Sequence, residues 1–133
     1  MLPSLPPSLK DSVIKLCTVC NDNNGHLIER NIWQQPTFCV ITIKRFKQLR
    51  TGRVHKNTST VKCNEHIKIP GFEAELIALV LHQGATKDSG HYTSVVKSAD
   101  KWYICNDNNI SITNLNDICM SKEVYMAFYH KVF

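Results

Sequence analysis

A chain of 133 residues holds one folded domain or part of one, and its 43% hydrophobic content with only five glycines and five prolines excludes a disordered, collagen-like or low-complexity segment. The formal net charge of +5 is spread along the chain except between Lys44 and Arg53. Such a run is read first as a solvated strand end and loop, so nucleic acid ranks last among the partners. No apolar stretch approaches the roughly 20 residues of a membrane span, and no membrane partner is expected.

Residues 1 to 13 open on Met1-Leu2-Pro3-Ser4-Leu5-Pro6-Pro7 and read as a tail or truncated linker. They have neither the basic start nor the continuous apolar core of a signal peptide. The six cysteines are therefore expected as reduced thiols, and the compartment as cytoplasm or nucleus. Cys17-Thr18-Val19-Cys20 has the spacing of one zinc knuckle, but a structural site needs four ligands and the chain has no second CxxC. Neither Cys63 with His66 nor His26 completes a recognised spacing. Cys17 and Cys20 are thus a half-site at most: no cofactor is expected, and zinc only if a second ligand pair is supplied from elsewhere.

Phe38 to Arg45 is apolar on both faces, which predicts a strand buried within a sheet, with Cys39 as a small core residue. Gly52 to Thr60 reads as a polar loop. Glu75 to His82 is another buried strand, although its Leu and Ala content leaves a helix open. Gln83 to Gly90 is a polar loop bounded by glycine. His91 to Lys97 and Lys101 to Asn106 are joined by Ser98-Ala99-Asp100, a connection typical of a hairpin, with Cys105 expected in the core beside Trp102 and Tyr103. Thr113 to Cys119 predicts one or two helical turns capped by Thr113 or Asn114, and Val124 to Tyr129 a final strand. The predicted fold class is α+β, mostly antiparallel β-sheet with few helices.

The chemistry concentrates on Gly90-His91-Tyr92 and the returning strand. Glycine at 90 allows a sharp turn and open space beside the imidazole, which a general base needs. An antiparallel return brings Asn106 or Asp107 towards His91, where an amide or carboxylate can fix the ring's tautomer. That arrangement supplies two members of a nucleophilic triad and no evident nucleophile. The bland alternative is a histidine bonded to its surroundings by chance.

Taken together and in order, several segments resemble the ubiquitin-specific proteases. They are Cys17-x-x-Cys20, Pro36-Thr37-Phe38-Cys39-Val40-Ile41-Thr42-Ile43-Lys44-Arg45-Phe46, Ala74-Glu75-Leu76-Ile77-Ala78-Leu79-Val80-Leu81-His82-Gln83-Gly84, Lys87-Asp88-Ser89-Gly90-His91-Tyr92, Lys101-Trp102-Tyr103-Ile104-Cys105-Asn106-Asp107-Asn108 and Glu123-Val124-Tyr125-Met126-Ala127-Phe128-Tyr129. The resemblance runs from about Ile14 to the C-terminus, so residues 14 to 133 are expected to be the C-terminal part of such a catalytic domain. It implies a partial papain-like cysteine peptidase fold, palm and end of fingers without the thumb. It also implies ubiquitin and ubiquitinated proteins as partners and cleavage of isopeptide bonds after ubiquitin's C-terminal glycine. In the same way it implies His91 as general base, Asn106 as the third triad member with Asp107 its neighbour and assistant, and Gln83, Gly84, Ser89, Gly90 and Tyr92 along the ubiquitin tail. The family's Gly-Asn-x-Cys-Tyr-type box has no match here, so the chain alone is expected to be inactive. The competing expectation is a catalytically dead, ubiquitin-binding remnant.

Overall fold

The computed structural model describes residues 9–13, 18–22, 26–30, 34–69, 71–86 and 88–132. They fall into two compact units, residues 1–35 with 68–72, and residues 36–67 with 73–133. In the first, β1 (Leu9–Val13) and β2 (His26–Arg30) pair antiparallel, Leu9 opposite Arg30 and Val13 opposite His26.

The remaining elements are, in chain order, β3 (Phe38–Thr42), β4 (Phe46–Gln48), β5 (Val54–Lys56), β6 (Val61–Lys62), β7 (His66–Ile69) and β8 (Phe72–Gln83). There follow β9 (His91–Ser98), β10 (Lys101–Asn106), β11 (Asn109–Thr113), the single-turn helix α1 (Leu115–Ile118), β12 (Met120–Ser121) and β13 (Val124–Lys131). One sheet runs in the order β11-β10-β9-β8-β13-β3, with β7 also paired to β8, and the pairs β4–β5 and β6–β12 stand apart from it. The ladders are antiparallel, as the short connections between β-rich segments predicted. The α+β, mostly antiparallel class is the one observed.

The apolar run that left a helix open is the central strand β8, and its lack of alternation has a structural cause. Against β13, Phe128 pairs with Ala78 but Tyr129 with Leu76, so Ile77 is an extra residue on β8. A bulge inverts the pleat. Accordingly Ala74 and Leu76 are buried before it and Leu79 and Leu81 after it. A second irregularity lies at Tyr125 of β13, and the buried positions there change from Val124 to Ala127 and Tyr129. A strand that changes its buried parity midway reads as continuously apolar.

Three other expectations are corrected. The strand at Phe38–Thr42 is not buried within the sheet: it is its edge, with Phe38 59% and Val40 51% exposed. Cys39 and Cys105 are half-buried, whereas Cys63, which has no motif around it, is in the core. The stretch 52–60 is not all loop, because β5 lies within it and pairs with β4. Of the two possible caps, Asn114 caps α1, its side chain accepting from the Asn116 N–H at 3.0 Å.

Arg45, one residue before β4, is 1% exposed. Its guanidinium donates to four backbone carbonyls: Val124 (2.5 Å), Asn57 (2.9 Å), Ser59 (2.9 Å) and Ser121 (3.2 Å). The five-donor fork thus ties β13 and the end of β12 to the segment after β5. Burial lowers its pKa, and the nearby Cys63 opposes that shift.

Candidate functional site

The site is built at one end of the sheet, where β8 and β10 end and β9 begins. Pairing sets Leu79 opposite Val95, Leu81 opposite Thr93 and Gln83 opposite His91. On the other side Ile104 lies opposite Val95 and Cys105 opposite Ser94. One further step of that register brings Asn106 level with Thr93, on the face His91 shares and diagonal to it. Long side chains reach across such a diagonal. His91 Nε2 lies 2.5 Å from Asn106 Oδ1. An amide oxygen can only accept, so Nε2 carries the proton and Nδ1 keeps its lone pair as the basic atom.

Asp107 is placed differently. It begins the two-residue connection between β10 and β11, has φ of 51° and is exposed. Strand alternation would in any case direct it to the opposite face from Asn106. Of these two neighbours the structure brings Asn106, the one the family resemblance pointed to, to the imidazole.

The loop from Gly84 to Gly90 joins β8 to β9 and borders this pair. A Cβ at Gly84 would lie 2.8 Å from both Gly90 Cα and the Ser89 carbonyl oxygen. A Cβ at Gly90 would run into the Gln83 carbonyl and the His82 ring. The two backbones therefore approach as closely as only glycine permits, with φ of +133° at Gly84. Ser89 is held by Thr86, its N–H donating to Thr86 Oγ1 at 3.1 Å with the two hydroxyls 2.8 Å apart. Gln83 Nε2 donates to Glu123 at 3.0 Å. Tyr92, 46% exposed, points to the face opposite His91, where its ring centroid is 4.6 Å from that of His82. Gln83, Gly84, Ser89 and Gly90 thus cluster around the loop, and Tyr92 stands behind it.

Cys17 lies outside the described residues. Cys20 is exposed in the turn at Thr18–Cys20. Among the described residues no three His, Cys, Asp or Glu side chains converge as a metal site would require. No helix among them is long and apolar enough to cross a membrane.

Sequence reasoning missed two residues beside the site. His82 is fully buried, and Lys56 Nζ lies 2.9 Å from its Nδ1 while donating to the His82 and Gly84 carbonyls at 2.8 Å each. Nothing local marks Lys56, which sits in a segment rich in basic and hydroxyl residues; only the fold brings it to the loop.

Comparison with known proteins follows the same outline. Residues 9–129 match the family model described as ubiquitin carboxyl-terminal hydrolase. The chain is 31% identical over 111 residues to ubiquitin carboxyl-terminal hydrolase 25 of Arabidopsis thaliana, covering 77% of this chain and 17% of that protein. It is 26% identical over 132 residues to ubiquitin carboxyl-terminal hydrolase 8 of Saccharomyces cerevisiae, covering 85% of this chain and 28% of that protein. It therefore spans only a minor part of these relatives. Among solved structures, a yeast SAGA DUB module superimposes with a TM-score of 0.77 at 22% identity, over 95% of this chain and 31% of that one. A SAGA DUB module bound to monoubiquitin gives 0.74 at 22% identity, over 95% and 31%. At that identity the likeness establishes the fold.

Proposed function

Because the chain belongs to the ubiquitin carboxyl-terminal hydrolase family, we propose that it is the base-bearing half of a deubiquitinating thiol hydrolase, with ubiquitin and ubiquitinated proteins as its partners. The observation that carries this reading is the His91 Nε2–H to Asn106 Oδ1 bond beside a loop closed by two glycines. In this reading His91 Nδ1 takes the proton of a cysteine thiol supplied from outside these 133 residues. Asn106 holds the ring in the productive tautomer and accepts from the imidazolium once it forms. The thiolate attacks the carbonyl of ubiquitin's last glycine, and His91 returns the proton to the departing lysine amine. Water then releases the acyl group by the same base catalysis. Gln83, Gly84, Ser89 and Gly90 line the path of the ubiquitin tail, and Tyr92 supports that wall from behind.

The reaction needs no cofactor. A zinc would require a second ligand pair beside Cys17 and Cys20, and its role would be to hold the chain together. In this reading the chain works where its thiols stay reduced, in the cytoplasm or nucleus.

The test is labelling by a ubiquitin derivative carrying a thiol-reactive group at its C-terminus. The isolated chain should remain unlabelled, because a base with no nucleophile has nothing to activate. Adding a thumb half of the family, fused or in trans, should restore labelling at that half's cysteine. Measurable ubiquitin affinity with no labelling even after complementation would instead select the catalytically dead binding remnant. Labelling of the isolated chain, abolished by mutating one of its own cysteines, would overturn the assignment of the nucleophile.

A further inference from the structure

Directly behind His91, on the opposite face of the β8–β9 ladder, lies a buried histidine that the proposed reaction does not use. His82 is 0% exposed and pairs with Tyr92 across the ladder, just as Gln83 pairs with His91. Its ring packs on Tyr92 (4.6 Å between centroids), edge-on to Phe46 (5.3 Å), and 6.3 Å from Tyr125. It also occupies the space where Gly90 would carry a side chain. The two residues flanking His91 in sequence, Gly90 and Tyr92, therefore both rest on one imidazole. That imidazole is held in turn by Lys56, whose ammonium reaches Nδ1 and the carbonyls of His82 and Gly84, the last residue of β8's approach to the loop.

We infer that Lys56 and His82 are positioning residues for the catalytic base: the ammonium locks the His82 ring, and the ring wedges Gly90 and Tyr92 so that His91 meets Asn106. The inference rests on the reading of His91 as that base, but its geometric content is independent of turnover.

The chemistry fixes the details. An ammonium has only donors, so Nδ1 of His82 must accept and Nε2 must carry the proton. Nε2 is buried and has no hydrogen-bond partner. Leaving a buried donor unpaired is destabilising, of order 1–3 kcal/mol. A ring free to turn would point that N–H elsewhere, so its orientation requires a second constraint, and Lys56 supplies one. The charged and titratable groups around the ring are consistent with a neutral imidazole. Tyr92 and Tyr125 present aromatic carbon to it, and Lys56 repels a second positive charge. Lys56 is itself influenced by Arg45, Lys122 and Glu123. Burial first, and then Lys56, push the His82 pKa down.

The experiment is nitrogen-15 spectroscopy of the histidine rings in the intact 133-residue chain, which reports tautomer and hydrogen bonding without any activity. In the unmodified chain His82 should show a protonated Nε2 and an accepting Nδ1 at neutral pH, and His91 a single Nε2–H tautomer. Lys56→Met keeps the aliphatic stem and removes the donors; the His91 signals should then move to the averaged values of a free imidazole. Lys56→Arg should restore them. His82→Ala should give the same loss as Lys56→Met, in protein that circular dichroism shows to be folded. Proton on Nδ1 of His82 in the unmodified chain would overturn the clamp. A His91 signature unchanged in folded Lys56→Met and His82→Ala would reduce both residues to general stability and overturn the positioning role. If complementation with a thumb half fails while the tautomer shifts appear, the fault lies with the catalytic reading and not with the clamp.

Discussion

At the scale of single residues, two side chains on one face of a sheet hold most of the chemistry and a third shows how burial tunes a proton. His91 does the proton transfer in the proposed cycle, while Asn106 only orients it. In chain complemented by a thumb half, His91→Ala should reduce kcat/KM by about 10³-fold or more, in the range attributed to general base catalysis. Asn106→Ala should cost less, roughly 10–100-fold, because the imidazole keeps its own basicity when its orienter is lost. An equal loss for both would show that the ring cannot hold its tautomer without the amide. Tyr129 is 2% exposed and donates its hydroxyl to the Asn64 carbonyl at 3.0 Å. Burial pushes its pKa up to about 12, with Cys63, Cys39 and Cys119 adding to the shift. The unfolded chain ionises this phenol near 10, the folded chain near about 12. The stability tied to it is complete below pH 10 and is lost as pH climbs towards 12, since only the unfolded state releases the proton in that window. Melting temperatures recorded on the alkaline side should therefore fall more steeply for the unmodified chain than for Tyr129→Phe. At neutral pH the variant should be less stable by about 1 kcal/mol, the net worth of the lost hydrogen bond.

At the scale of elements, the hairpins decide which side chains meet. β9 and β10 are joined by Ala99 and Asp100, with φ of 46° and 61°. Two successive positive values are the signature of the turn whose twist suits a two-residue hairpin, and they favour Asn followed by Gly. Alanine is a poor choice there, because its Cβ gains nothing from a left-handed backbone. Replacing Ala99-Asp100 by Asn-Gly should stabilise the chain by about 1 kcal/mol, read as a higher denaturant midpoint at an unchanged slope. The His91 to Asn106 bond should persist in that variant, since the register it depends on is the one the better turn reinforces. A shift of register would separate the pair and show that the native turn was itself selecting the alignment.

At the scale of the whole molecule, protection should be graded from the sheet's centre to its edges. Leu79, Val95, Val124 and Ala127 are at most 1% exposed on β8, β9 and β13, whereas Phe38 and Val40 on β3 and Ile110 and Ile112 on β11 are more than half exposed. Slow amide exchange follows burial and saturated pairing, so the amides of central β8 and β9 should exchange last, and those on the outer side of β3 and β11 first. Uniform protection across all these strands would mean that the sheet opens only as a unit. The family match covers residues 9–129 while the relatives compared are several times longer. Under the proposed function, the nucleophile belongs to that remaining length, and complementation would test the assembly.

Much of this was legible before any coordinates. Strand periodicity with short polar connections marks the antiparallel fold class, because a period of two and a tight turn leave few other ways to bury apolar faces. The glycine before His91 and the returning strand bring that residue and the 106–107 pair into one neighbourhood for the same reason. Strand pattern alone left Asn106 and Asp107 open, since the choice depends on where the strand ends and the turn begins; the family resemblance had already pointed to Asn106, the residue found at the imidazole. Nor was the edge position of β3: apolar composition reports what a strand can bury, not how many neighbours it finds. The bulge at Ile77, which hides the alternation of β8, exists only because β13 pairs on both sides of it. The Lys56 clamp belongs to the same class, for it joins residues 26 apart whose proximity no local pattern encodes. Local geometry is written in neighbouring residues, whereas register and long-range contacts are settled when the sheet closes.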